Sequence, residues 1–527
     1  MNKNQVYRTL KYTLIAIVLV LSGSYVTKYR YDKMISERFR HYSNWQKLEF
    51  VLSKIDDNYV EAIDFEKVTE DVLPHLLREL DPHSVYLPPQ NLQKSEEDLS
   101  GSFEGIGISF NVPNDTAVVI SLITGGPSQK AGLLPGDRIM KVNGTEIAGV
   151  NMPQDSMIRS MSGPSGSIAH LDVLRDGFPL SFDVTRAPIP VKSIDVAYMI
   201  NDTTGYIKLS KFSRTSHTEF KEAATGLIGQ GMTRLLFDLR DNTGGFLDQA
   251  LMLSNEFLGM DQLIVYMEGL HRKRQEFTAD GYGICRNIEL DVLVNESSAS
   301  SSEIFAGAMQ DNDRGRIVGR RTFGKGLVQE PTYFTDGSGM RLTVARYYTP
   351  VGRCIQKPYG DDEDYDYDIY ERYNRGEMTS ADSIPHNDSL RFVTKGGKVV
   401  YGGGGIIPDL FVPIDTAGVT DLYIDINRRS LQVRYAISVS DHHRKQLQRV
   451  EDMEELEYLL DTFGLESGLR DYVVENGVEW DDDQWGISRE FMLTQLRALV
   501  ARYSSLEDLA FYSMVAPIDN VIQAALE

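Results

Sequence analysis

The pattern of apolar and polar positions changes period several times along this chain, and each change marks a boundary. Tyr12–Thr27 carries no charge, with Lys3, Arg8 and Lys11 ahead of it and Lys28 and Arg30 behind. Sixteen helical residues span about 24 Å against a hydrocarbon core of about 30 Å, which suits a membrane anchor or the apolar part of a signal segment. No small-residue cleavage pattern follows the run, which favours the anchor. Residues 1–33 are therefore expected to export the rest of the chain. Phe50, Val51 and Ile55, then Val68, Val72 and Leu76, recur at helical spacing, so 34–99 reads as helical. Asp81-Pro82-His83-Ser84 and Leu87-Pro88-Pro89-Gln90 interrupt it with turns.

From Ser100 to Pro188 the period shortens. Short β-type runs are separated by Gly and Pro turns, which predicts a small, mostly β module. Residues 189–358 alternate strand patterns (Gly205–Leu209, Thr233–Leu239, Leu290–Asn295) with helical ones. Phe246–Phe257 has apolar side chains at 246, 247, 250, 251 and 253, and Ser302–Gln310 reads as a second helix. Such alternation points to a layered α/β core. Residues 359–400 form an acidic insertion: eight acids, two arginines and the tyrosines 365, 367, 370 and 373 fall within 361–377, and the expectation is a solvated segment. Residues 401–415, with a turn at Gly402–Gly405, return to the core. Residues 416–527 are a helical extension, whose stripes Met453, Leu456, Leu460, Phe463 and Phe491, Leu496, Leu499, Val500, Tyr503 predict packing alone.

Composition narrows the chemistry. A net charge of -22 argues against a protein that grips nucleic-acid phosphates. Two cysteines, Cys285 and Cys354, exclude a cysteine zinc cluster, though an oxidising compartment would let them pair. There is no HExxH, and no metal or organic cofactor is expected. Gly319 to Gly326 nearly matches a phosphate-binding loop, but Gly326 stands where the magnesium-binding hydroxyl belongs.

The lysine in that loop fits better with Asn295–Glu303, a serine-rich junction between a strand and a helix. A serine there sits at a helix N-terminus, where free N–H groups and the dipole favour negative charge, although it could equally be a plain cap. Lys325 lies between two glycines that allow close packing. Burial lowers a lysine pKa, and a neutral lysine can take a serine proton, so a Ser–Lys dyad is chemically open.

Ser298-Ala299-Ser300-Ser301-Ser302-Glu303, followed by Phe323-Gly324-Lys325-Gly326, resembles the core signature of the carboxyl-terminal processing (tail-specific) serine proteases. The resemblance implies Ser300 as nucleophile, Lys325 as general base and Gln329 as the residue that orients the lysine. Asp238-Leu-Arg-Asp-Asn-Thr-Gly244-Gly245 is similar to the family's strand end and implies an oxyanion hole from the N–H groups of Gly244 and Ser301. Ser301 departs from the family's usual alanine, which leaves the choice among clustered serines open. The family's fold is a ClpP/crotonase-like ββα spiral with an inserted PDZ domain. Gly105-Ile106-Gly107-Ile108 matches its peptide-tail-binding loop, and Gly101 and Pro188 are expected hinges for the inserted module.

These implications describe an exported serine endopeptidase on the periplasmic face, anchored to the inner membrane by residues 12–27. Its partners would be proteins or peptides with free C-termini, with no nucleic acid and with homo-oligomerisation left open. The alternative is a non-catalytic PDZ-based scaffold, which would have no need of Ser300, Lys325 and Gln329 together.

Overall fold

A computed structural model of the chain describes residues 22–30, 44–360, 365 and 367–527. They form two compact units, one ending at Leu76 and one spanning Leu77–Glu527. In the first, residues 22–30 and Asn44–Asn58 are helical and largely exposed. Most of the uncharged run at 12–27 lies outside the described residues. Among those described, no single helix is long and apolar enough to cross a membrane.

The second unit is built on a six-stranded sheet. Ile194–Met199 pairs antiparallel with Thr204–Leu209, and Arg234–Asp238, Glu289–Val294, Arg316–Gly319 and Leu410–Phe411 follow in parallel. Parallel strands must be covered on both faces, which explains their near-continuous apolar runs. On one face the helices Ser216–Gly229, Leu247–Asn255 and Ser301–Asp311 surround an aromatic cluster. Phe237 is its hub, with ring centroids 5.1 Å from Phe305 and 5.3 Å from Phe220. On the other face Leu236, Leu293 and Val318 pack against Val521, Ile522 and Ala525 of the last helix, Asn520–Leu526. Arg316 donates to the Ala525 carbonyl at 2.8 Å, and Arg240 pairs with Asp519 at 2.8 Å. The helical extension thus supplies a cover that its own amphipathic stripes did not predict.

A second sheet carries Leu327–Tyr333 and Val85–Leu87 on either side of Gly339–Tyr348, which also pairs with the hairpin Leu263–Gly269/Arg272–Thr278. That hairpin was missed in the sequence because its outer strand, RKRQEFT, is polar at nearly every position. The β module has its own core, with Ile106, Val119, Ile139, Met157 and Leu171 buried. Its two connections are zipped together: Ser102–Gly105 pairs with Ala187–Pro190, and Val191 donates its N–H to the Gly101 carbonyl. Pro188, the expected hinge, is opposite Glu104 inside this ribbon.

The acidic insertion is more than a solvated loop. It contains the helix Asp368–Asn374, whose Arg372 is buried, and the small hairpin Arg391–Val393/Val399–Tyr401. Cys285 and Cys354 are free thiols, so the pairing that export would permit is not made.

Ile522 is 3% exposed, and removing most of its side chain opens a cavity between the last helix and the sheet. Ile522→Ala should cost about 3 kcal/mol, read as a lower guanidinium midpoint with an unchanged slope. A midpoint within error of the parent would mean that this helix does not seal the sheet.

Candidate active site

The buried strand Glu289–Val294 delivers the chain to a turn held by short polar bonds. The Asn295 N–H donates to Ser298 Oγ at 3.0 Å, and Ser298 Oγ donates to the Leu239 carbonyl at 2.8 Å. Ser300 then caps the helix Ser301–Asp311 with φ 55° and ψ −111°. A non-glycine residue in that region costs on the order of 1–3 kcal/mol and persists only where its surroundings enforce it.

The geometry separates the clustered serines. Ser298, Ser301 and Ser302 are buried, and their hydroxyls donate to main-chain carbonyls: Leu239, Gly245 (2.9 Å) and Asn242 (2.8 Å). Ser300 is only half-buried. Of the run 298–302 it is the serine placed to meet a substrate.

Glu303 enforces the strain. Its side chain is fully buried, and Oε2 accepts both the Ser300 N–H at 2.9 Å and the Lys325 N–H at 2.8 Å. Oε1 accepts the Gly324 N–H at 2.7 Å and Thr322 Oγ1 at 2.5 Å. Burial raises the Glu303 pKa, the donors from Thr322, Lys325, Gly324 and Ser300 pull it back, and the balance stands at about 7. Three of the four are main-chain N–H groups that can only donate, so the arrangement is built for a carboxylate. Sequence reasoning did not single out Glu303. The signal was present, because Ser300-Ser-Ser-Glu303 is the S-x-x-E pattern of a capping box.

Lys325 is brought to this point by tight glycine packing. A Cβ on Gly326 would lie 2.8 Å from the Gln356 nitrogen, so only glycine fits beside the lysine. Lys325 Nζ donates to Gln329 Oε1 at 3.1 Å, and Gln329 Nε2 donates to the His83 carbonyl. A bulge between Val328 and Gln329 interrupts the simple alternation that placed 325 and 329 on one face, yet the two side chains meet. Burial, then the nearby Arg341 charge, lowers the Lys325 pKa; Glu303 and Asp81 oppose them. Among the described residues, no hydrogen bond joins Lys325 Nζ to Ser300 Oγ.

The turn Asp81–Ser84 supplies the outer wall. Asp81 Oδ1 accepts the His83 and Ser84 N–H groups, each at 2.8 Å, and Thr343 Oγ1 at 3.1 Å. Gly244 lies against Ser300: a Cβ there would stand 2.8 Å from Ser300 Cβ and 3.0 Å from the Ser301 nitrogen. Its N–H is donated to Asn242 Oδ1 at 2.9 Å. The Ser301 N–H is the first of its helix and has no carbonyl to meet within it. Ser300, Ser301, Gly244, Lys325 and Gln329 are therefore gathered in one place.

Gly105, Ile106, Gly107 and Ile108 lie in the β module. Gly105 ends the connecting ribbon, and Ile106 is buried in the core of the β module. Gly107 has φ 73°, and its carbonyl accepts the Ile123 N–H. Ile108 opens the edge strand Ile108–Asn111.

Residues 203–367 match the model of peptidase family S41, residues 105–185 that of a PDZ domain, and residues 422–504 a family of unknown function (DUF8443). A probable CtpA-like serine protease of Staphylococcus aureus is 33% identical over 315 residues, covering 59% of this chain and 63% of that one. Its counterpart in Staphylococcus haemolyticus is 31% identical, covering 59% and 62%. The chain thus spans less than two thirds of the length of these relatives. A solved photosystem II D1 C-terminal processing protease is 26% identical with a TM-score of 0.39, covering 71% of this chain and 88% of that one. The fold is that of an S41 peptidase with an inserted PDZ domain. Over these segments the chain is similar to carboxyl-terminal processing serine proteases that carry a PDZ domain.

Glu303→Gln puts an NH2 group against two of the four donors. Hydrolysis by the variant should fall about 100-fold as Ser300 and Lys325 separate, and stability by about 2 kcal/mol, read from kcat and the denaturation midpoint. Parent values for both would show that the carboxylate holds neither residue.

Proposed function

We propose that this chain is an exported serine endopeptidase that selects proteins by their C-terminal tails and cleaves them with a Ser300–Lys325 dyad. The observation that carries the reading is the shared Glu303 oxygen, which binds the main-chain N–H groups of Ser300 and Lys325 together. A scaffold would have no use for a strained serine locked to a partly desolvated lysine.

Ser300 Oγ attacks the substrate carbonyl as neutral Lys325 takes its proton. An amine that donates one N–H to Gln329 Oε1 keeps its lone pair for this task. The tetrahedral oxyanion is stabilised by the Ser301 N–H at the helix N-terminus and by the Gly244 N–H, once the latter is released from Asn242 Oδ1. The lysine ammonium then protonates the departing amine, and water hydrolyses the acyl-enzyme by the same route in reverse. In the PDZ domain the Gly105–Ile108 loop receives the tail carboxylate, and the edge strand Ile108–Asn111 pairs with the peptide behind it. The uncharged run at 12–27 anchors the enzyme on the periplasmic face of the inner membrane.

Detergent-solubilised full-length protein should degrade an unfolded substrate on a gel. Ser300→Ala and Lys325→Ala should each lose more than about 99% of the rate while melting like the parent. A Ser300→Ala variant that still cleaves, with Ser298→Ala or Ser302→Ala inactive, would identify a different nucleophile.

The lowered Lys325 pKa also fixes the sign of the pH dependence. The amine must be neutral to act, so kcat/KM should climb as pH rises through that pKa and then level off. A flat profile between about pH 6 and 9 would eliminate a lysine base.

A further inference from the structure

The insertion between Pro358 and Lys398 reaches the catalytic groups at two points. Arg372, 1% exposed, donates to the carbonyls of Arg321 (2.6 Å) and Thr322 (3.1 Å), in the loop that leads to Lys325. Its charge is met by Glu377 at 2.8 Å, which also pairs with Arg321 at 2.6 Å. Two arginines and a glutamate out of water are costly unless geometry compensates, and a solvated spacer would have no reason to bury them.

The second point is Tyr365. Its hydroxyl is hydrogen-bonded to His83 Nε2 at 2.7 Å, and the two rings meet edge-on with centroids 5.2 Å apart. Lys357 holds the tyrosine from behind: Nζ donates to the Tyr365 carbonyl at 3.1 Å and lies 3.9 Å from its ring centre and 4.2 Å from that of Phe323. The Lys357 N–H donates to the carbonyl of Gly324, next to the catalytic lysine.

His83 is thereby held on two sides, by Tyr365 at its ring and by Asp81 at its N–H. The remaining polar group of its peptide unit, the carbonyl, accepts Gln329 Nε2, and Gln329 Oε1 accepts Lys325 Nζ. We propose that Tyr365 is a positioning residue: by pinning the His83 ring it aims the His83 carbonyl at Gln329, and through Gln329 it sets the catalytic lysine. The acidic insertion is then a strap that completes the proposed peptidase site. This rests on the Ser300–Lys325 reading above.

The test is a mutant cycle on the full chain with an unfolded protein substrate. Tyr365→Phe keeps the ring and removes the hydroxyl. It should lower kcat about tenfold with KM changed less than about twofold and an unchanged melting temperature. His83→Ala keeps the main-chain carbonyl and should fall by a similar factor. Because both act through Gln329, the Tyr365→Phe/Gln329→Ala double variant should be no slower than Gln329→Ala alone. Three outcomes overturn the proposal: parent kcat in both Tyr365→Phe and His83→Ala, a loss confined to KM, or losses that multiply in the double variant. A parent chain that does not cleave, or a Ser300→Ala variant that does, overturns instead the proposed function on which it rests.

Discussion

A single buried carboxylate orders the candidate active site. Glu303 stands in the first turn of the helix that starts at Ser301, where the dipole already favours a negative charge. Four donors arrive from Ser300 and from the 322–325 loop, segments more than twenty residues apart in sequence. Hydrogen bonds to an ion are worth about 1.5–3 kcal/mol each, enough together to hold Ser300 in a backbone conformation that costs on the order of 1–3 kcal/mol. The same charge also acts on the lysine. It raises the Lys325 pKa, and burial and Arg341 must outweigh it before the amine can be neutral. One interaction thus places both groups of the proposed dyad and works against the activation of one of them.

What could be read from the sequence follows from how far each interaction reaches along the chain. The serine junction, the glycines around Lys325 and the alternation of strands and helices are local patterns, and each element is where its pattern puts it. Gln329 was paired with Lys325 on a spacing of four residues. Its other partner, the His83 carbonyl, is 246 residues away and left no trace. Arg372 looked like one charge among many in an acidic stretch; only the fold shows it threaded onto the lysine loop. The last helix is short and shows no stripe that announces a second sheet face. Gly244 and Ser301, expected as the oxyanion donors, do lie beside Ser300, but no pattern could show that the Gly244 N–H is held by Asn242.

The PDZ domain meets a different constraint. Hinges at Gly101 and Pro188 assumed two single strands of chain, but the ribbon Ser102–Gly105/Ala187–Pro190 ties both connections into one ladder. The module can pivot only as a unit about the ends of that ladder. Its sheet also touches the helical extension, through Arg138 with Asp441 at 2.7 Å and Asn111 Nδ2 donating to Tyr503 Oη. Partly exposed ion pairs contribute about 0–1 kcal/mol, so these contacts bias the position of the domain without locking it. Moving a population from 1:99 to 99:1 takes about 5.5 kcal/mol of differential binding. A peptide tail that paired with Ile108–Asn111 could supply part of that only if its position conflicted with the helical extension, because a ligand that binds both arrangements equally shifts neither. The Asn111–Tyr503 bond lies on that strand, so a tail paired there would meet the hold of the extension on the same four residues.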